Sequence, residues 1–328
     1  MALTVLGCLS LTIGSAPLQA ELSEGETDPG AEQARQAPNR NPMDTEGLEP
    51  KLSRVLENYY RKTFSSPENW EELESVMFVG ILQTAQGRFH FTAYKKKPNL
   101  AKVIIRNPHG RGRLVFGYDG GEAWQSNSIA SDNPRPMLMP PGEAKNFIRD
   151  APIGGHLLDP LKEGKELKIS GIVEVDGKNC YEIETTLPDG QRIRSAIDIV
   201  EYAERRQITT NQVNAKDESN IYRDFRVIEG VRFPFTSVMR SNGEEVHRVE
   251  MLKIRVNPGL TKSIFQRSSE VVSPQSETES ATDKESRLEQ AGVPPSPNPF
   301  GEVPFGASSF PDPGEIEGVR IFEEAETR

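Results

Sequence analysis

Leu167–Ile199 reads LKISGIVEVDGKNCYEIETTLPDGQRIRSAIDI, and its spacing decides the fold. Leu167, Ile169 and Val173, then Tyr181, Ile183 and Thr185, then Ile193, Ser195, Ile197 and Ile199 alternate with charged or small residues. Val175-Asp-Gly-Lys178 and Pro188-Asp-Gly190 separate the three runs. A period of two sends alternate side chains to opposite faces of a strand, and Asp-Gly provides the backbone conformation of a tight hairpin. Three consecutive antiparallel strands are therefore expected, with Arg192, Arg194 and Asp198 on the face opposite Ile193 and Ile197.

The same grammar extends both ways. Downstream, strands fit Arg206–Val213, Tyr222–Val227, Phe233–Arg240 and Val246–Val256, with Asn242-Gly243 turning the last pair. Upstream, the period of two begins at Val76. Phe89, Phe91 and Ala93 alternate with His90, Thr92 and Tyr94; Lys102–Arg106 and Leu114–Phe116 follow, and Asp119-Gly-Gly121 returns the chain into Glu122–Gln125. Roughly ten strands joined by short turns, without crossover helices between them, predict an α+β domain built on one antiparallel sheet. A sheet that wide curls into a barrel or half-barrel or splits in two. Helices are expected first at Leu52, Val55, Leu56, Tyr59 and Thr63, led by Pro50, then after Ser66-Pro67-Glu68, and again over Glu143–Arg149.

Composition sets the limits of this domain. Residues 21–50 carry eight acids and two arginines, and 268–328 carry thirteen acids and four bases, whereas the whole chain of 328 residues has a net charge of −10. The 51–267 segment is thus left with a net of +5. The acidic, turn-rich 21–50 reads as a linker, and the Ser-, Glu- and Pro-rich 268–328 as a tail unable to repay the entropy of ordering. Residues 1–20 hold an uncharged apolar run, Ala2–Ile13, and a small-residue stretch ending at Ala20. That is a signal peptide's pattern, though it lacks a basic start, so export is expected. Leu6-Gly-Cys8 faintly resembles a lipidation box. With the leader removed only Cys180 remains, too few for an internal disulfide.

Chemistry is sparse. His90, His109, His156 and His247 show no metal-ligand spacing, and no phosphate loop or nucleophile elbow occurs. The acid pairs Glu182/Glu184 and Asp198/Glu201 have the residue types of a glycosidase, but acids on an exposed strand are usually just solvated. Lys95–Lys97, Arg106, Arg111 and Arg113 sit at or near hairpin turns and do not make a nucleic-acid stripe. Apolar surface is the distinctive feature. Phe89, Phe91, Phe116, Trp124, Ile169, Ile183, Ile197, Phe225, Phe235 and Met239 fall on apolar strand faces, and Met137, Met139 and Phe147 on the excursion and helix that follow. These are the expected lining of an apolar cavity, for a curled sheet with few helices cannot fill its own concavity.

Phe91–Asn99, Phe116–Trp124, Gly154–Asp159, Gly171–Gly177 with Cys180-Tyr181, Ile193–Asp198, Tyr222–Pro234, and Asn257–Leu260 followed by Phe265 run in an order that resembles the LolA/LolB-type lipoprotein carrier fold of the outer membrane lipoprotein-sorting proteins. The resemblance covers Leu52 to Phe265. It implies an open half-barrel of ten or eleven strands under a short helical lid, in a monomeric periplasmic protein that binds lipoprotein or other lipid acyl chains without catalysis or cofactor. These stretches do not place the arginine that gates the carriers' cavity, and the linker and tail lie outside the pattern. Partners in the envelope, protein or membrane surface, are the further expectation. An alternative expectation is an envelope scaffold that displays Phe300, Phe305 and Phe310 from its Pro-rich tail; a hydrolase of envelope polymers stands third.

Overall fold

The computed structural model describes residues 41–108, 110, 112–129, 135–210 and 217–267. The expected leader with Cys8, most of the linker, His109, Arg111 and the tail with its three phenylalanines lie outside these residues.

Helix α1 (Pro50–Phe64) opens the fold, capped by Glu49, whose carboxylate accepts from the amides of Lys51 and Leu52. Its apolar stripe is buried: Leu52, Val55, Leu56, Tyr59, Tyr60 and Phe64. Residues 41–49, given to the linker by composition, lie against the same core: Met43 and Leu48 pack on it, and buried Thr45 bonds Ser53 and Glu57. Helix α2 (Pro67–Glu72) starts at the Ser66 N-cap.

The strands are β1 (Ser75–Thr84), β2 (Gly87–Lys96), β3 (Leu100–Arg106), β4 (Arg113–Tyr118), β5 (Ala123–Asn127) and β6 (Met137–Leu138). After helix α3 (Pro141–Asp150) come β7 (Glu166–Val175), β8 (Lys178–Thr186), β9 (Arg192–Asp198), β10 (Glu204–Thr210), β11 (Asp217–Ile228), β12 (Val231–Ser241) and β13 (Glu244–Val256). All form one antiparallel sheet in the order β6-β5-β4-β3-β2-β1-β13-β12-β11-β10-β9-β8-β7. The α+β expectation of a single curled antiparallel sheet with few helices holds. The thirteen strands exceed the ten or eleven expected, partly because two-residue β6 sits in an excursion without strand period.

Sheet neighbours are chain neighbours everywhere except at β1–β13. β6 and β7 are the two open edges, so the connection between them has to cross the whole sheet. This strap, residues 139–165, carries α3 and runs over one face. Lys95 of β2 and Ser195 of β9, six strand positions apart, both bond to it within the short stretch from Asp150 to His156. Only a curled sheet brings those strands so close, and the strap lies on its concave side.

Two-residue turns set the register. Asp176-Gly177, Glu229-Gly230 and Asn242-Gly243 all have both residues at positive φ, the hairpin conformation that matches strand twist. Gly80 faces a bulge in β13, where Leu252 is the extra residue, and a Cβ on Gly80 would crowd the Glu250 carbonyl and the Phe91 ring. Asn257, itself at φ 48°, closes the sheet's end, accepting from the amides of Glu74 and Ser75 and donating to the Glu72 carbonyl.

Candidate functional site

Register assigns every strand residue to a face. The concave side of β1–β4 presents Phe78 and Leu82, Phe91 and Ala93, Val103 and Ile105, and Leu114 and Phe116, all in one buried cluster. On the strap side, Phe147, Ile153, Leu157 and Leu158 join that cluster, and α1 supplies the rest. Phe116 and Phe147 pack ring to ring at 6.5 Å.

Of the residues expected to line a cavity, Phe91, Phe116, Met139, Phe147, Ile183, Ile197 and Phe235 are brought together in this cluster, with Phe89 and Ile169 partly buried against it. Met239 is buried on the same face. Met137, on edge strand β6, is 61% exposed. Trp124 and Phe225 lie on the convex side. Trp124 pairs with Gly117 while Phe116 pairs with Gln125, so the two aromatics point oppositely. The indole covers Gly117 and donates to the Phe265 carbonyl at 3.1 Å, in a satellite core where the 3₁₀ turn Lys262–Phe265 meets Leu100 and Leu260. Phe225 alternates with Asn220 and Tyr222 on β11, whose pairing with β12 keeps its register past Asp224, so its ring faces the convex side. Its ring stacks under Arg205.

Four polar links fasten strap to sheet and helix. Lys95 donates to the carbonyls of Asp150 (2.7 Å) and Pro152 (3.3 Å), and Tyr60 donates to that of Leu157 (2.7 Å). Burial holds the Lys95 ammonium down to about 8 despite nearby Asp150. In the fourth link His156 Nε2 meets Ser195 Oγ at 2.7 Å, and Ser195 donates to Glu204 at 2.7 Å. Ser195 has one proton, so Nε2 carries the hydrogen when that proton goes to Glu204. Burial, with Lys165 and Arg149 nearby, keeps His156 well below its ordinary range, and burial raises Glu204. In that arrangement the histidine donates to the serine, the reverse of a hydrolytic triad, in which it draws the serine's proton.

Sequence reasoning missed this polar half of the face. Ser195 stands opposite Gln207, Gln207 opposite Asn220, Asn220 opposite Met239, and Met239 opposite His247. All five are buried. His247, expected to be an ordinary polar strand residue, is 4% exposed, and burial brings its imidazole down to about 4. The legible signal was polar residues at inward positions, as in Glu218-x-Asn220, across strands whose turns fix their register.

The acid pairs are held in ion pairs. Asp198 bonds Arg205 and the amides of Val200 and Glu201, Glu201 bonds Arg205, Glu182 pairs with Arg206, and Glu184 with Lys168. Two grooves open at the rim. One of about 280 Å³ lies by Ile81, Phe89, His90 and Pro108; one of about 430 Å³ lies by Leu48, Pro160, Leu161 and Leu167.

No family model and no curated protein matches the chain. Among solved structures it is similar to a LolA superfamily protein from Nitrosomonas europaea, at 13% identity over 66% of this chain and 97% of that one, with a TM-score of 0.44. It is similar to a domain from Vibrio parahaemolyticus described as outer membrane lipoprotein-sorting, at 11% identity over 65% and 95%, TM-score 0.43. A DUF1329 family protein from Desulfovibrio piger is similar at 12% identity over 66% and 97%, TM-score 0.45.

Proposed function

We propose that the chain is an exported, periplasmic, non-catalytic carrier or sensor that holds acyl chains of a lipoprotein or another lipid against the concave face. The observation that carries this reading is the strap. An unclosed sheet presents a wide apolar concavity, and part of its cover is a single chain segment fastened by side-chain-to-carbonyl links rather than by strand pairing. Such links contribute on the order of 1 kcal/mol each. Burying ten methylenes of an acyl chain is worth roughly 8 kcal/mol before ordering costs. That gain is of the same order as the links and the burial of Phe147, Leu157 and Leu158 that it would replace over Phe91 and Phe116, so an acyl chain and the strap can compete for this face. Among the described residues no helix is long and apolar enough to cross a membrane.

The test is native mass spectrometry of the full chain exported to a bacterial periplasm, with displacement of N-phenyl-naphthylamine as a second readout. Co-purifying acyl species and saturable displacement by fatty acid are expected. A protein that emerges free of lipid under every purification condition and ignores the probe refutes the reading.

A further inference from the structure

The convex face over β13 and β1–β4 carries charge that the fold itself does not neutralise. Strands β1–β4 contain no acidic residue. Pairing places Arg88, Arg106 and Arg113 of β2–β4, and Arg248, Lys253 and Arg255 of β13, on the side away from the core, since each adjoins a core-facing residue of its own strand. Arg106 stands directly opposite Arg113, and His90 directly opposite Arg106. Like charges in facing positions destabilise a sheet. β13 adds Glu250 to this side, and Glu245, which is bonded to Arg248. Arg88, Arg106, Arg113, Lys253 and Arg255 are exposed and enter no ion pair among the described residues.

Aliphatic side chains are set among these cations. Val79, Ile81 and Ile104 lie half-buried between them, and the bulge in β13 leaves Leu252 59% exposed beside Lys253. The rim groove of Ile81, Arg88 and His90 adjoins the same patch. Free cations interspersed with aliphatic groups match an anionic bilayer, which meets charge at its phosphates and apolar groups just beneath them. A run of acidic residues would satisfy the cations and leave Leu252 in water. We propose that the convex face of β13 and β1–β4 docks the protein on a membrane surface rich in anionic phospholipid. This face lies opposite the apolar concavity, and the proposal does not rest on the lipid-binding reading above.

The test is co-sedimentation of the full chain with vesicles of phosphatidylcholine alone and of phosphatidylcholine with one-third phosphatidylglycerol. Preferential binding to the anionic vesicles, released by high salt, is expected. Each cation at such a surface is worth roughly fivefold in partitioning. Arg88→Gln, Arg106→Gln and Arg113→Gln together should therefore weaken binding about a hundredfold, with the far-UV circular dichroism unchanged. Removing the same charge from exposed positions of α1, by Arg54→Gln, Arg61→Gln and Lys62→Gln, should weaken it less than about threefold. Lys253→Gln with Arg255→Gln should lose about twenty-five-fold, which keeps the proposal open to refutation if the first variant fails to fold. Equal binding to the two kinds of vesicle, or equal losses from the convex-face and α1 variants, overturns the proposal. Tighter binding to polyglutamate than to the anionic vesicles overturns it as well, and assigns the face to an acidic polypeptide.

Discussion

His247 offers a direct measure of how dry the concave polar face is. It is 4% exposed, flanked in register by Met239 and Thr84, with Glu245 the one charge drawing its pKa upward. Burial lowers the imidazole from 6.5 to about 4. A base whose folded pKa is depressed gives stability that is complete above the unfolded value and is lost as pH falls toward the folded one. The window is therefore pH 6.5 down to about 4. Between neutral pH and about pH 4.5, this one group should remove about 2 kcal/mol of folding stability. Glu204 acts in the opposite sense: its raised pKa stabilises the fold at low pH and withdraws that stability as pH rises. It sits three strands away, on β10, so comparison with His247→Gln, which cannot titrate, cancels its contribution. Urea unfolding at the two pH values is the assay. The glutamine variant should lose about 2 kcal/mol less than the wild type on acidification, roughly 4–8 °C in Tm. Equal acid losses in the two proteins would mean that His247 is solvated in both states, and the dry polar face would be refuted.

Other consequences can be checked singly. Gly117→Ala places a Cβ against the Trp124 ring, and should cost about 1–3 kcal/mol and shift indole fluorescence as the bond to the Phe265 carbonyl breaks. Asn257→Ala removes three side-chain hydrogen bonds and a residue suited to φ 48°; a loss of about 2 kcal/mol in chemical unfolding is expected, partly recovered by Asn257→Gly. Buried Cys180, its thiol pushed up to about 11, should resist iodoacetamide in the folded protein and react on unfolding, as read by peptide mapping.

The strand series was legible because its turns are chemically explicit: Asp176-Gly177 and Asn242-Gly243 announce hairpins, and period-two runs lie between them. The α1 stripe was equally plain. What failed was face assignment wherever register depends on contacts outside the local pattern. Bulges at Leu252 and at Arg205 each displace the alternation of their own strand by one residue, and composition gives no sign of either. The polar rung was hidden for another reason. Gln207, Asn220 and His247 are ordinary on any one strand and become unusual only when five strands are laid side by side. The strap's role follows from strand order, which puts β6 and β7 at opposite edges, a fact that no local stretch encodes.

That strand order also bears on how the chain reaches its fold. Two meanders, β1–β6 and β7–β13, can each zip up through successive hairpins, but the seam between β1 and β13 first joins Thr84 to His247, 163 residues later along the chain. Closing that loop costs roughly 2–3 kcal/mol more entropy than closing a ten-residue hairpin. The two halves are therefore expected to be largely formed before they meet, and β1 and β13, of ten and thirteen residues, then wait as bare edges. Long unpaired edges recruit other chains. The seam is where a newly made copy is most exposed to aggregation.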